Sequence, residues 1–213
     1  MRIGLILENS QASKHDLVLG ALTGVADRHG FYVDDYGMYA PDDAAQLTYV
    51  QNGILAAVLL NSGAVDYVVT GCGTGEGAML ALNSFPGVVC GHVEDPLDAY
   101  TFSQINDGNA VAIPLALKNG WGQELMLGYI FEKLWQEEPG SGYPKERAVP
   151  EQRNKRVLDG VRASAFRPLT DICRDLDPEL VRGAFAGERF RELFEANAQP
   201  GPVRDYVFSL LSD

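Results

Sequence analysis

The feature that most constrains this chain is an alternation of short apolar runs with longer segments of helical periodicity. Val65-Asp66-Tyr67-Val68-Val69-Thr70 is typical of the runs: six residues, mostly β-branched or aromatic, bounded by small and polar residues. Strands of this kind, buried on both faces and separated by helices, form a parallel sheet covered on both sides. Extended segments are expected at 2–7, 31–35, 66–70, 87–93 and 110–114, with helices at 10–28, 44–60, 75–84, 97–105 and 123–135. The fold class that follows is α/β: a Rossmann-like, doubly wound, five-stranded parallel sheet with a helical C-terminal extension.

The alternation stops after Trp135, at Glu137-Glu138-Pro139-Gly140-Ser141-Gly142-Tyr143-Pro144. A stretch this rich in proline and glycine reads as a connector. The expected organisation is an α/β domain over 1–137, a linker over 138–149 and a helical extension over 150–213. Helices in the extension are expected at 150–163, 177–185, 188–197 and 203–211, and Asp177-Pro178 is a good start signal, a capping acceptor followed by proline. The extension is too small and broken to stand alone, so it should pack on the α/β domain or across a dimer partner.

Composition excludes several classes of function. A net charge of −12 argues against nucleic acid or an anionic membrane as the main partner, since both reward basic surfaces. No segment approaches the roughly 20 apolar residues of a membrane span. The N-terminus enters a strand pattern at once with no small-residue cleavage site behind it, and Cys72, Cys90 and Cys173 form neither a CxxC pair nor a disulfide framework. A cytoplasmic protein without structural zinc is expected. Cations are concentrated late: residues 1–144 hold only Arg2, Lys14, Arg28, Lys118 and Lys133 against 17 acids, while 145–191 hold 11 basic and eight acidic residues. The basic stretch reads either as solvated helix faces or as a source of arginines for an anionic substrate.

In an open parallel sheet, ligands bind beyond the carboxyl ends of the strands. The loop after the third strand, Gly71-Cys72-Gly73-Thr74-Gly75-Glu76-Gly77, has glycine at every second position, so backbone can approach a ligand and amides can converge at the next helix. It lacks the Lys-Ser/Thr of a phosphate-binding P-loop, and its loose dinucleotide-type spacing follows the third strand rather than the first, so a nucleotide cofactor is not expected. A cysteine near a helix N-terminus gains thiolate character and can act as a base. Proton abstraction beside a carbonyl needs such a base, with donors where the enolate oxygen develops. Cys72, the amides of Gly73, Gly75 and Gly77, and the Thr74 hydroxyl offer both. Glu76 reads equally as a second acid or base and as a first-turn glutamate complementing the helix dipole. His92 could face the site or be simply packed or solvated. Cys90, Cys173, Trp121, Trp135 and the aromatic and leucine series of the extension read as core or dimer contacts.

The combination of this loop with Asn83, Pro86-Gly87 and Asn106-Asp107-x-Asn109 resembles the type-B ribose-5-phosphate isomerases and the related galactose-6-phosphate isomerase subunits. The resemblance covers about residues 1–137. It implies a homodimer or dimer of dimers that interconverts aldose and ketose phosphates through a cis-enediolate, without metal or other cofactor. By position it makes Cys72 the base, and assigns Gly73, Thr74, Gly75 and Gly77 to the enediolate oxygens. Tyr49 would line the site, Asn106 would bind a substrate hydroxyl, and Arg147, Arg153 and Arg156 lie in the region that supplies phosphate-binding arginines.

Two positions depart from the family pattern. Its Asp-His pair after the first strand is here Glu8-Asn9, which keeps a carboxylate and loses an imidazole. The histidine credited with opening the sugar ring is here Ile105, and an isoleucine cannot shuttle a proton. Either Glu8, Asp95 or Asp107 opens the ring, or the substrate arrives open-chain. If the tail arginines instead pair with Glu146, Glu151 and Asp159, the substrate carries no phosphate. The expected activity is therefore an aldose–ketose isomerase acting on a small sugar phosphate or close relative, with Cys72, Thr74 and Glu8 as catalytic residues and Asn9 among those that bind substrate. The alternatives are a non-catalytic sugar-phosphate-binding or regulatory protein of the same fold and, more remotely, a flavodoxin-like nucleotide binder.

Overall fold

The computed structural model describes residues 1–117 and 120–212; Lys118, counted among the cations above, lies outside them. Strands β1 (Arg2–Leu7), β2 (Tyr32–Asp35), β3 (Tyr67–Cys72), β4 (Cys90–His92) and β5 (Ala110–Pro114) form one sheet in the order β2-β1-β3-β5-β4. Every pairing is parallel. All six residues of β3 are buried, as its apolar run requires.

Helices cover both faces. On one lie α1 (His15–His29) and α5 (Gln123–Leu134), closing a core with Leu5, Val69, Val111 and Phe131. On the other lie α2 (Tyr49–Asn61) and α3 (Glu76–Asn83), and over them the extension adds α7 (Leu169–Asp175), α8 (Pro178–Gly183), α9 (Phe190–Asn197) and α10 (Pro202–Leu211). Phe185, Phe190 and Phe194 stack in series, with Phe190 also against Tyr36 at the end of β2. The extension thus shares a hydrophobic core with α2 and α3.

Several boundaries differ from expectation for local reasons. The helix expected from residue 44 starts at Tyr49, because Thr48 and Gln51 form a reciprocal capping box that fixes its first turn. The first helical segment opens as a 3₁₀ helix, Asn9–Lys14, capped by the Glu8 side chain. The fourth, α4 (Pro96–Thr101), passes into a π-helical turn, Phe102–Asn106. β4 is shorter than expected, and α7 falls between the helices expected at 150–163 and 177–185. Helix α6 (Ala148–Ala165) has no buried residue and packs beside the π-helical turn. Trp135 is buried, whereas Trp121 is fully exposed and makes no core contact in one chain.

Two contacts tie the site-bearing elements together. Gly53 brings α2 against α3: a Cβ there would lie 2.8 Å from the Ala81 carbonyl oxygen, inside backbone that cannot swing aside. His15, at the start of α1, is buried with Nε2 2.7 Å from Asp35 Oδ2 at the end of β2. That hydrogen bond raises the imidazole pKa against the opposing effect of burial.

Gly53→Ala should lower stability by about 2 kcal/mol through overpacking; an unchanged denaturation midpoint would show that the helices can separate freely. Because the folded-state pKa of His15 lies above its unfolded value, its pairing contributes fully below about pH 6.5 and is lost as pH rises through the raised folded value. Wild type should therefore exceed His15→Gln in stability most at acid pH, with the gap narrowing upward. A gap that widens with pH would refute this assignment.

Candidate active site

The loop at the end of β3 is built by contacts that glycine alone permits. A Cβ on Gly71 would lie 2.4 Å from the Ile113 carbonyl oxygen of β5. Gly75 has φ +79, and a Cβ there would lie 2.7 Å from the His92 ring and 3.0 Å from the Pro114 nitrogen. A Cβ on Gly77 would meet the Tyr49 ring at 3.4 Å. Gly73 is the least crowded of the four, its nearest neighbours being Ala116 at 3.7 Å and Gln11 Nε2 at 3.8 Å. The alternating glycines thus differ in kind: Gly71 and Gly75 let backbone and ring pack closely, while at Gly73 a side chain would meet only ordinary contacts.

Cys72 is the last residue of β3 and is 8% exposed. Its carbonyl accepts from Leu115 N at 2.9 Å, and the Gly73 carbonyl accepts from Ala116 N and Leu117 N at 2.9 and 3.1 Å. These bonds continue the β3–β5 ladder past its last pair and hold the loop against the segment after β5. His92, at the end of β4, donates from Nε2 to the Thr74 carbonyl at 2.8 Å, which makes it a buttress of the cradle. Glu76 stands in the first turn of α3, and Gly75 is its N-cap residue. A cavity of about 150 Å³ beside Pro114 is lined by Glu94, Asp95, Leu117, Gln123 and Met126.

The segment after β1 faces the same edge. Glu8 is buried, and its carboxylate accepts from Ser10 N at 3.0 Å and from the Ser10 hydroxyl at 2.5 Å. Asn9 is exposed, with its amide held by the Leu47 carbonyl at 2.7 Å. Gln11 is buried, a residue that the motif reading passed over because no single-sequence pattern marks it. Lys14 donates to the Leu115 carbonyl, and burial pushes its ammonium pKa down. Tyr49, half exposed at the start of α2, closes the side over Gly77. One chain therefore brings together Cys72, Gly73, Thr74, Gly75, Gly77, Tyr49 and the Glu8–Gln11 segment.

The remaining expected residues lie at the opposite edge of the sheet. Asn106 ends the π-helical turn ahead of β5, whereas Cys72 pairs with Pro114 at the far end of that strand. The length of β5 separates them by about 15 Å. Ile105 and Asp107 share the Asn106 edge. Arg147, Arg153 and Arg156 belong to the segment that packs there, and all three are exposed. Of the acids offered to them, Glu151 accepts from Tyr143 N, and Asp159 pairs with Lys155 at 2.8 Å. Asp95 caps α4 through Leu97 N and Asp98 N. Burial pushes the Cys173 thiol up to about 11 and Cys90 higher still, leaving both inert. Among the described residues no group of three His, Cys, Asp or Glu side chains could hold a metal ion, and no helix is long and apolar enough to cross a membrane.

The family model described as Ribose/Galactose Isomerase matches residues 3–133, and a second, described as Ribose-5-phosphate isomerase, matches 164–210. A search of curated proteins finds no match. Among solved structures, a 4-deoxy-L-threo-5-hexosulose-uronate ketol-isomerase complexed with a tartrate is 54% identical, with all of both chains covered and a TM-score of 0.98. A ribose-5-phosphate isomerase from Vibrio parahaemolyticus is 46% identical over 99% of each chain, with a TM-score of 0.95. A ribose 5-phosphate isomerase from Thermotoga maritima shares the fold at 18% identity and a TM-score of 0.56, covering 75% of this chain and 97% of its own. The chain belongs to the ribose/galactose isomerase family and is an aldose–ketose isomerase.

Proposed function

We propose that the substrate is an open-chain sugar acid of the hexosulose-uronate type, isomerised through a cis-enediolate with Cys72 as base. The observation that carries this reading is Ile105. An apolar side chain next to Asn106 cannot move the proton that ring opening requires, so an acyclic substrate suits the site better than a furanose. The 54% identity to a hexosulose-uronate ketol-isomerase over the full length of both chains supports the same choice.

In the proposed reaction the Cys72 thiolate takes the proton from the carbon beside the carbonyl. The C–H electron pair forms the enediolate double bond, and the carbonyl π pair moves onto oxygen, where the loop amides and the Thr74 hydroxyl donate to it. The thiol then returns its proton to the former carbonyl carbon, while the hydroxyl proton of the original alcohol passes to the former carbonyl oxygen, so the new carbonyl forms and the oxyanion becomes a hydroxyl. No redox partner is needed. Glu8 shapes the floor of the site through Ser10.

Asn106, Arg147, Arg153 and Arg156 would complete this site from a second copy. They are gathered at the edge of the sheet opposite Cys72, so a homodimer that apposes the two edges would supply a hydroxyl-binding amide and cations to each cradle. Those cations suit a substrate carboxylate as well as a phosphate.

In deuterated water, wild type should exchange hydrogen at the carbon beside the carbonyl of an acyclic hexosulose-uronate, and faster than with ribose 5-phosphate. Cys72→Ala should lose between about 10²- and 10⁴-fold in rate. Faster exchange with ribose 5-phosphate, or Cys72-independent exchange, would sink the reading. Cys72→Ala and Asn106→Ala homodimers, each impaired, should on equimolar subunit mixing regain about a quarter of wild-type activity, since half the dimers then carry one intact site. No recovery after verified exchange of subunits would place both residues in the same chain's site.

A further inference from the structure

We propose that the side-chain amide of Gln11 is a substrate-contacting donor of this site, aimed at the developing enediolate oxygen and held in that orientation by the Glu8–Ser10 pair. The inference rests on the proposed ketol-isomerase reading and adds a donor to it.

The orientation follows from bookkeeping of protons. The Glu8 carboxylate can only accept, so the Ser10 hydroxyl at 2.5 Å must donate to it. With its proton committed, the Ser10 oxygen is left as an acceptor, and it takes a hydrogen bond from Gln11 Nε2 at 3.0 Å. The nitrogen, not the oxygen, of the Gln11 amide is therefore the end that faces Ser10. That NH₂ group has a second hydrogen, and among the described residues no protein acceptor takes it. The Nε2 atom sits 3.8 Å from where a Cβ on Gly73 would stand, beside the least crowded glycine of the loop, the residue that follows Cys72. Gln11 is itself 7% exposed, so its spare donor is shielded from bulk water, where a hydrogen bond to a charged oxygen gains most.

The 3₁₀ helix makes this possible. Capped by Glu8, it turns Gln11 inward immediately after β1, at the strand next to β3. The donor is neutral, which matters beside the buried Glu8 carboxylate: it can favour a negative oxygen without being neutralised by its neighbour. Ser10 acts as a positioning residue, since without its hydroxyl the amide loses the contact that decides which end faces the loop.

The test uses three variants of the full chain, with hydrogen exchange and isomerisation of the acyclic uronate as activity readouts. A second readout is calorimetric binding of a four-carbon hydroxamate, whose planar O–C–N–O group mimics a cis-enediolate. Gln11→Met keeps the side-chain length and removes the donor; it should lower kcat by about 100-fold with KM changed by less than about threefold. Its hydroxamate affinity should fall in parallel with kcat. Gln11→Glu should be worse still, by placing a carboxylate where oxyanion charge develops. Ser10→Ala should lose about tenfold in kcat, because the amide remains but is no longer oriented. Thermal unfolding shows whether each variant is folded, and Gln11→Glu stands in if Gln11→Met is not. The proposal is overturned if a folded Gln11 variant keeps kcat and hydroxamate affinity within about twofold of wild type, or if only KM rises. Wild type that binds the hydroxamate through Gln11 but turns over no sugar acid would sink the substrate reading and leave Gln11 as a donor. Wild type that does neither would end both.

Discussion

The structure depends on how closely β3 and β5 approach at Gly71. Any side chain there would enter the Ile113 carbonyl, so glycine alone lets the central ladder run to its end. Because it does, the bonds from Leu115, Ala116 and Leu117 can clamp the Cys72 and Gly73 carbonyls beyond the last strand pair. The loop that carries Cys72 is then an extension of a strand buried along its whole length. Backbone donors held this way need no reorganisation when charge develops beside them, which is the condition under which they stabilise an enediolate best.

The same architecture divides the candidate site. In a parallel sheet all strand ends of one kind share an edge, so residues that follow strands and residues that precede them stand a strand length apart. Cys72, Tyr49 and the segment after β1 fall on one edge, while Asn106 and the arginines of the tail fall on the other. On the first edge the Lys14 ammonium is engaged by the Leu115 carbonyl, while Arg2 and Arg28, at the other end of the strands, pair with Asp34 and Glu132. The proposed pairing of edges between two copies would bring the charge that an anionic substrate needs. It would also give the exposed Trp121, Leu125 and Tyr129, and the apolar side of α6, a reason to be apolar.

Much of the fold was legible in the residues. Five strands and the helices between them stand out because a strand buried on both faces has almost no polar positions, and because helical periodicity fills the intervals. The departures were local. The capping box at Thr48 set the start of α2 against an apolar pattern that suggested an earlier one. The π-helical turn at Phe102–Asn106 inserts into a segment whose periodicity reads simply as helix. Helix α7 is short, and its burial comes from packing on α2, which no local signal announces.

For the site, the sequence by itself determined the chemistry on offer: a cysteine among glycine amides, a carboxylate after the first strand, and an isoleucine where ring opening would need an imidazole. Those are properties of residue type and spacing, and they survive any detail of packing. Only the tertiary structure decided which of these groups meet. It showed that Gly71 and Gly75 are glycine for the sake of neighbouring backbone and the His92 ring. It also placed Gln11 against Gly73 and set Asn106 a strand length from Cys72. Such facts depend on contacts between segments far apart in the chain, and distance along a sequence carries no record of distance across a sheet.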